Sequence, residues 1–191
     1  MKVMVTPESD SAIGTVKLHR STRLVFSIQP RKRSMVAQVR KFVSTAKYQG
    51  PSRSGLTMAG EVLVPMVRVL CELQAQGSDP NEQESVWIFK QENVHIVIGT
   101  IVTDDPTSLP EVDIREYLDI PGYLGPTKKG IRFPWEKLPE VIALMQTQIE
   151  RLVAHIEEQL TLFPGVNPQW PAEATDVIRA RPDSCSHMMP C

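Results

Sequence analysis

Apolar and polar positions alternate through residues 15–28: Val16, Leu18, Leu24, Phe26 and Ile28 share one parity, and Lys17, His19, Arg23 and Ser27 the other. A period of two places successive side chains on opposite faces, so this stretch reads as a half-buried strand. Arg20-Ser21-Thr22 interrupts the apolar face and predicts a bend. Gln29-Pro30 is expected to break the strand, leaving Arg31-Lys32-Arg33-Ser34 as a basic loop, and residues 35–43 form the next strand with Arg40 among β-prone neighbours. Residues 44–50 connect to Pro51, which lacks an amide hydrogen and suits a turn or a strand start. A third strand over 53–58 puts Arg53, Gly55 and Thr57 on one face and Ser54, Leu56 and Met58 on the other. Glycine at 55 leaves room for close approach by a ligand or by another strand.

From Glu61 to about Ala75 the period lengthens. Leu63, Met66, Val67, Val69, Leu70 and Leu73 nearly encircle the segment, so this helix needs burial on more than one side. Pro65 is best accommodated in a first turn, which places the start of regular helix near Val64. After the Gly-, Asp-, Pro- and Asn-rich stretch 76–84, the pattern begins again. Val86-Trp87-Ile88-Phe89 and residues 94–102 are strand-like, the loop 103–110 is acidic, and strands over 112–118 and 128–133 follow. A helix from about Trp135 to Leu162 tolerates Pro139 in its first turn. Ile142, Met145, Ile149, Leu152 and Ile156 form along it the seam of a packed helix pair.

The recurrence is literal. Residues 39–70 align without a gap to 114–145 at an offset of 75, with seven of 32 positions identical: Arg40 and Arg115, Tyr48 and Tyr123, Gly50 and Gly125, Pro51 and Pro126, Gly55 and Gly130, Glu61 and Glu136, Leu63 and Leu138. An ungapped match through a Gly-Pro turn implies two copies of one supersecondary unit. The expected organisation is a tail over 1–14, a first unit over 15–76, a linker over 77–84, a second unit over 85–163, and a Pro-rich disordered tail over 164–191. The fold class is α+β: two tandem β-β-β-β-α units forming an intramolecular pseudo-dimer, with curved antiparallel sheets and paired helices.

Charge divides the copies. Residues 1–78 hold 12 Lys+Arg against 4 Asp+Glu, net +8, whereas 79–191 hold 9 against 18, net −9, which together give the chain's −1. A polyanion would therefore meet mainly the first copy, unless the two halves simply attract one another. No run of 18 apolar residues suggests a membrane span. The first residues lack a signal core or an Arg-rich leader, and three cysteines make no disulfide framework. These features point to a reducing, intracellular setting, nucleus, nucleoid or cytoplasm, with Cys71 as a small buried hydrophobe. Cys185, His187 and Cys191 match no zinc spacing, so neither metal nor cofactor is expected. His19, His95, His155 and His187 are scattered, and no nucleophile motif or Gly-rich phosphate loop occurs, so an enzyme is not expected.

Strands, a basic-glycine hairpin and one apolar helix, with the words Val112-Asp113-Ile114-Arg115-Glu116-Tyr117 and Pro126-Thr127-Lys128-Lys129-Gly130-Ile131, resemble the positive-cofactor-four family of transcriptional coactivators and its bacterial relatives. The match covers roughly 110–150 well and 35–72 more weakly. The resemblance implies units of four strands and a helix that pair through their helices, with curved sheets that bind single-stranded DNA. The family's strand arginine matches Arg40 and Arg115. Its two basic residues before the hairpin glycine match Lys128 and Lys129, but Arg53 and Ser54 in the first copy. Its basic loop is similar to Arg31-Lys32-Arg33, where the second copy has Asp104-Asp105-Pro106. Its base-stacking tryptophan falls on Val43 and Leu118, and Phe42 and Tyr117, one residue earlier, are expected to face the core.

The chemistry required is simple. Lysine and arginine on a sheet neutralise phosphates and release counterions, and aromatic faces add base stacking. Candidate contacts are Arg31, Lys32, Arg33, Arg40, Lys47, Tyr48, Arg53, Arg115, Tyr123, Lys128 and Lys129, with Trp87 a further stacking candidate. For the arginines at 40 and 115 the competing role is a structural ion pair, and for the two tyrosines it is hairpin packing. The expected function is largely sequence-independent binding of single-stranded nucleic acid, DNA ahead of RNA, in transcription, replication or repair, alongside proteins of those processes. The alternative is a protein-interaction or dimerisation module acting through the long helix or the tail, including a homodimer through the C-terminal helix.

Overall fold

The structure, a computed structural model, describes residues 12–31, 34–77, 85–102 and 110–162. The first alternating stretch is two strands, β1 (Ala12–His19) and β2 (Thr22–Arg31), because Arg20 and Ser21 turn the chain through a hairpin instead of a bend. β1 opens inside the segment expected to be tail. Pro30 does not break β2 either, since it pairs with Met35 at the far end of the ladder. The chain continues through β3 (Ser34–Ser44), β4 (Gln49–Met58) and helix α1 (Gly60–Gln76). The second unit repeats the order as β5 (Val86–Gln91), β6 (Val94–Ile101), β7 (Glu111–Ile120), β8 (Tyr123–Pro134), one 3-10 turn over Trp135–Lys137, and α2 (Leu138–Leu162). Each unit is thus a four-stranded antiparallel meander followed by a helix, β1-β2-β3-β4 and β5-β6-β7-β8. Lys32, Arg33, residues 103–109 of the acidic loop, residues 78–84 of the linker and the Pro-rich tail with its cysteines lie outside the described residues.

The identities in the repeat occupy the same places in both sheets. Arg40 pairs with Gly55 and Arg115 with Gly130, each just before a register shift in the β3–β4 and β7–β8 ladders. A Cβ on Gly55 would lie 2.8 Å from the Val39 carbonyl oxygen, and one on Gly130 2.8 Å from that of Ile114. The close approach that this glycine permits is therefore made by the neighbouring strand. The phenol of Tyr48 folds over Gly50 to donate to the Pro51 carbonyl at 2.6 Å, and Tyr123 does the same over Gly125 to Pro126 at 3.0 Å. Even the second hairpins are anchored alike: Ser44 N–H donates to the Ser21 carbonyl, and Asp119 N–H to that of Asn93.

Leu24, Phe26, Ile28, Val39, Leu56 and Met58 of the first sheet, and Ile96, Ile98, Val112, Ile114, Ile131 and Phe133 of the second, join both helices in one core. α1 is buried at Val62, Leu63, Met66, Val67, Val69, Leu70 and Leu73, the multi-sided burial expected from its apolar girth. It begins at Gly60, so Pro65 stands in its second turn and not its first. The helices pack on each other, and each reaches across to the other unit: α2 lies on β1, β2 and β3, while α1 touches β5. Gln148, fully buried on α2, donates to the carbonyls of Ser27 (2.8 Å) and Gln38 (3.0 Å) in the first sheet. At the side of the sheets away from these contacts, β4 and β8 run close together. The pseudo-dimer is therefore a helix pair covered by two sheets whose other faces point outward.

Candidate nucleic-acid interface

Parity and register assign the outward faces residue by residue. In the first sheet Lys17, Arg23 and Phe42 form one cross-strand row, and Thr15, Val25, Arg40 and Gly55 the next. In the second sheet the corresponding rows are Phe89, His95 and Tyr117, and Trp87, Val97, Arg115 and Gly130. Phe42 and Tyr117 thus face outward, against the expectation that they point to the core. They share the parity of Arg40 and Arg115, and each finds ring or cation partners on that surface. The Arg23 guanidinium lies 5.7 Å from the Phe42 ring centroid.

The second sheet carries an aromatic platform in the same place. Trp87 meets Tyr117 edge-on with centroids 5.1 Å apart and His95 at 5.7 Å, and Phe89 meets His95 at 6.0 Å. Trp87 is 45% exposed and Phe89 66%, so the platform is open to solvent. Edge-to-face contacts hold such rings in place. Of this group only Trp87 was legible as a stacking candidate.

The matched arginines have different fates. Arg115 makes a two-pronged ion pair with Asp113, Nε to Oδ2 at 3.0 Å and Nη2 to Oδ1 at 2.9 Å, and its Nη1 reaches the Thr127 carbonyl at 3.4 Å. Arg132 completes the clamp with its Nε 3.1 Å from Asp113 Oδ1. Burial pushes the Asp113 carboxyl up, but hydrogen bonds from Arg115 and Arg132 and their charges outweigh it, leaving it below the usual aspartate value. Bonding to Asp113 raises the Arg115 pKa in turn. At the position of Asp113 the first sheet has Gln38, which bonds Thr57 Oγ1 at 3.3 Å. Arg40 consequently has no ion pair among the described residues, and neither do Lys17, Arg23, Arg31 or Arg53.

Glu116 points the other way, to the core side of β7, where only 5% of it is exposed. Lys90 Nζ at 2.6 Å and Lys129 Nζ at 2.9 Å bind one oxygen each. Burial raises its pKa, yet the two ammonium groups together lower it below the usual glutamate value. Lys129 is therefore engaged in an ion pair, whereas Lys128 is exposed on β8. Lys47 and Tyr48 are exposed at the β3–β4 turn and Tyr123 at the β7–β8 turn; both tyrosines combine the hairpin role with an open ring face. Lys17, Arg23, Phe89, His95, Asp113 and Arg132 are members of this surface that the sequence reading did not single out.

Of the candidates, Arg31, Arg40, Arg53, Arg115 and Lys128 lie on the outward sides of the sheets and Lys47, Tyr48 and Tyr123 at hairpin tips, whereas Lys129 is held by Glu116 on the core side and Lys32 and Arg33 fall outside the described residues. No helix among the described residues is long and apolar enough to cross a membrane. No protein-family model matches the chain, and no curated protein does. Among solved structures, that of the plant transcriptional regulator PBF-2 is similar to this chain with a TM-score of 0.41 and 10% identity, covering 90% of this chain and 98% of its own. The crystal structure of WHY3 from Arabidopsis thaliana is similar with a TM-score of 0.39 and 9% identity, covering 82% and 97%.

Proposed function

We propose that this chain binds single-stranded nucleic acid, largely without regard to sequence, across the outward faces of its two sheets. The observation that carries the reading is a first sheet with five outward cations, Lys17, Arg23, Arg31, Arg40 and Arg53, and no acidic partner for any of them among the described residues. Unpaired cations on one face form an electrostatic footprint for a polyanion. The open rings of the second sheet favour unpaired bases, which expose faces that a duplex keeps stacked. A relation to the positive-cofactor-four family rests on the motifs around Arg115 and Gly130 and on the sheet-helix unit. Titration of labelled single-stranded DNA, single-stranded RNA and duplex DNA of equal length, by anisotropy at several salt concentrations, tests the proposal. Tight, salt-sensitive binding of single strands with much weaker duplex binding supports it, and absence of binding at low salt refutes it.

Association of two chains through the C-terminal helix is a narrower reading. Ile142, Met145 and Leu152 are already buried within the chain, so of the expected seam only Ile149 and Ile156 keep surface that could serve a second copy. Light scattering of the wild-type chain and of a chain ending at residue 155 tests it, with loss of a dimer on truncation as the supporting result.

A further inference from the structure

The two sheets share one framework and differ in what they display on it. Row by row, Lys17 and Arg23 of the first sheet are replaced by Phe89 and His95 in the second, and Thr15 by Trp87. Phe42 and Tyr117 keep an aromatic ring, and Arg40 and Arg115 keep the guanidinium. In the row beyond, Gln38 and Thr57 of the first sheet become Asp113 and Arg132. Cations are thus exchanged for rings, and of the outward cations that the second sheet keeps, Arg115 and Arg132 are held by a carboxylate while Lys128 stands exposed.

Asp113 is the residue on which this turns. Its two oxygens engage two nitrogens of Arg115 and one of Arg132, and a planar guanidinium bound two-pronged to a carboxylate has little left for a phosphate. Glu111, 3.9 Å from Arg132, adds a second acid to the same face. The charges of Glu111, Asp113, Arg115 and Arg132 cancel, whereas the first sheet's five outward cations remain uncompensated. A strand lying on the second sheet therefore meets ring faces and, apart from the exposed Lys128 on β8, little field that attracts its phosphates.

We infer, building on the binding function proposed above, that the sheets divide the work on a single strand: the first holds phosphates, the second holds bases, and Asp113 keeps the second from competing for phosphate. The ligand must then offer both parts, and a pseudo-dimer with two similar halves has one composite site instead of two equal ones.

The test uses the full chain with two ligands of equal length: oligothymidylate, and a base-free deoxyribose-phosphate strand. For each, the affinity and the slope of log Kd against log salt are measured. Replacing Arg23 and Arg40 together by Ala lowers the slope by about 1.4, at roughly 0.7 per lost phosphate contact on a single strand, and weakens both ligands alike. Replacing Trp87 and Phe89 by Ala weakens oligothymidylate by about fivefold or more and leaves the slope and the base-free strand unchanged. Asp113→Asn releases Arg115 and steepens the slope by about 0.7. Circular dichroism establishes that each variant is folded. In the wild-type chain, tryptophan emission quenched by oligothymidylate but not by the base-free strand, and lost in Trp87→Phe, supports the division without a destabilising change. Equal weakening of both ligands by the Trp87/Phe89 variant, or an unchanged slope in folded Asp113→Asn, overturns it. A wild-type chain that binds neither ligand at low salt removes the binding function itself, a different failure.

Discussion

Gly55→Ala asks what the repeated glycine is for. The new methyl would sit 2.8 Å from the Val39 carbonyl oxygen and 3.3 Å from the Arg40 Cα, both backbone atoms of the adjacent strand. Neither can yield without moving β3. Overfilling a packed site costs about 1–3 kcal/mol, and the lower entropy of the unfolded alanine chain returns roughly 0.4–1 kcal/mol. The net loss is therefore about 1–2 kcal/mol, or a melting temperature lower by about 2–8 °C for a protein of this size. Gly130→Ala has nearly the same geometry, 2.8 Å to the Ile114 carbonyl oxygen and 3.2 Å to the Arg115 Cα, and should cost about as much. Urea unfolding at constant m-value, followed by circular dichroism, measures both. If Gly55→Ala loses nucleic-acid binding with its stability unchanged, the glycine is keeping space for a ligand, and the strand-packing argument is wrong.

Two further predictions concern buried polar groups. Glu116 has its pKa lowered by Lys90 and Lys129 against the opposing effect of burial, so it stabilises the fold above its ordinary value near 4.5 and ceases to do so as pH falls through the folded value. Glu116→Gln should accordingly destabilise the chain at pH 7 and flatten its loss of stability in acid; a wild-type acid limb retained in the variant would contradict this. Gln148→Glu would bring a carboxylate, which only accepts hydrogen bonds, against the carbonyls of Ser27 and Gln38 in a fully buried site. A cost of about 3 kcal/mol or more at pH 7 is expected. Because burial would raise the new carboxyl's pKa, stability should recover as pH falls, and a pH-independent loss would argue against it.

The repeated unit was legible because its identities are those that geometry demands: a glycine under the next strand, a tyrosine closing over Gly-Pro, an arginine opposite the glycine. The first hairpin was harder to see, since Arg20-Ser21 contains none of the Gly, Asn or Pro that usually punctuate a turn. Its counterpart, Glu92-Asn93, has the common solution, with Asn93 at φ 57°. Pro30 was read as a breaker, yet at the end of a ladder a missing amide hydrogen is tolerated. The outward rings were obscured because Val86-Trp87-Ile88-Phe89 is apolar throughout, so no alternation reveals that Ile88 is buried while Trp87 and Phe89 are open. Tyr117 was expected to face inward, although its parity with Arg115 already pointed outward. The reach of α2 onto the first sheet includes Gln148, whose partners are backbone carbonyls 110 and 121 residues away and leave no trace in local pattern.

The central claim is that a face of unpaired cations on the first sheet binds single strands. Its most direct test is the salt dependence of wild-type binding to a labelled oligothymidylate. Five contacts, from Lys17, Arg23, Arg31, Arg40 and Arg53, at roughly 0.7 each give a slope of log K against log salt of about −3.5. A slope of that size, with duplex of equal length bound much more weakly, is the predicted result. A slope near zero, or no binding at low salt, would contradict the account.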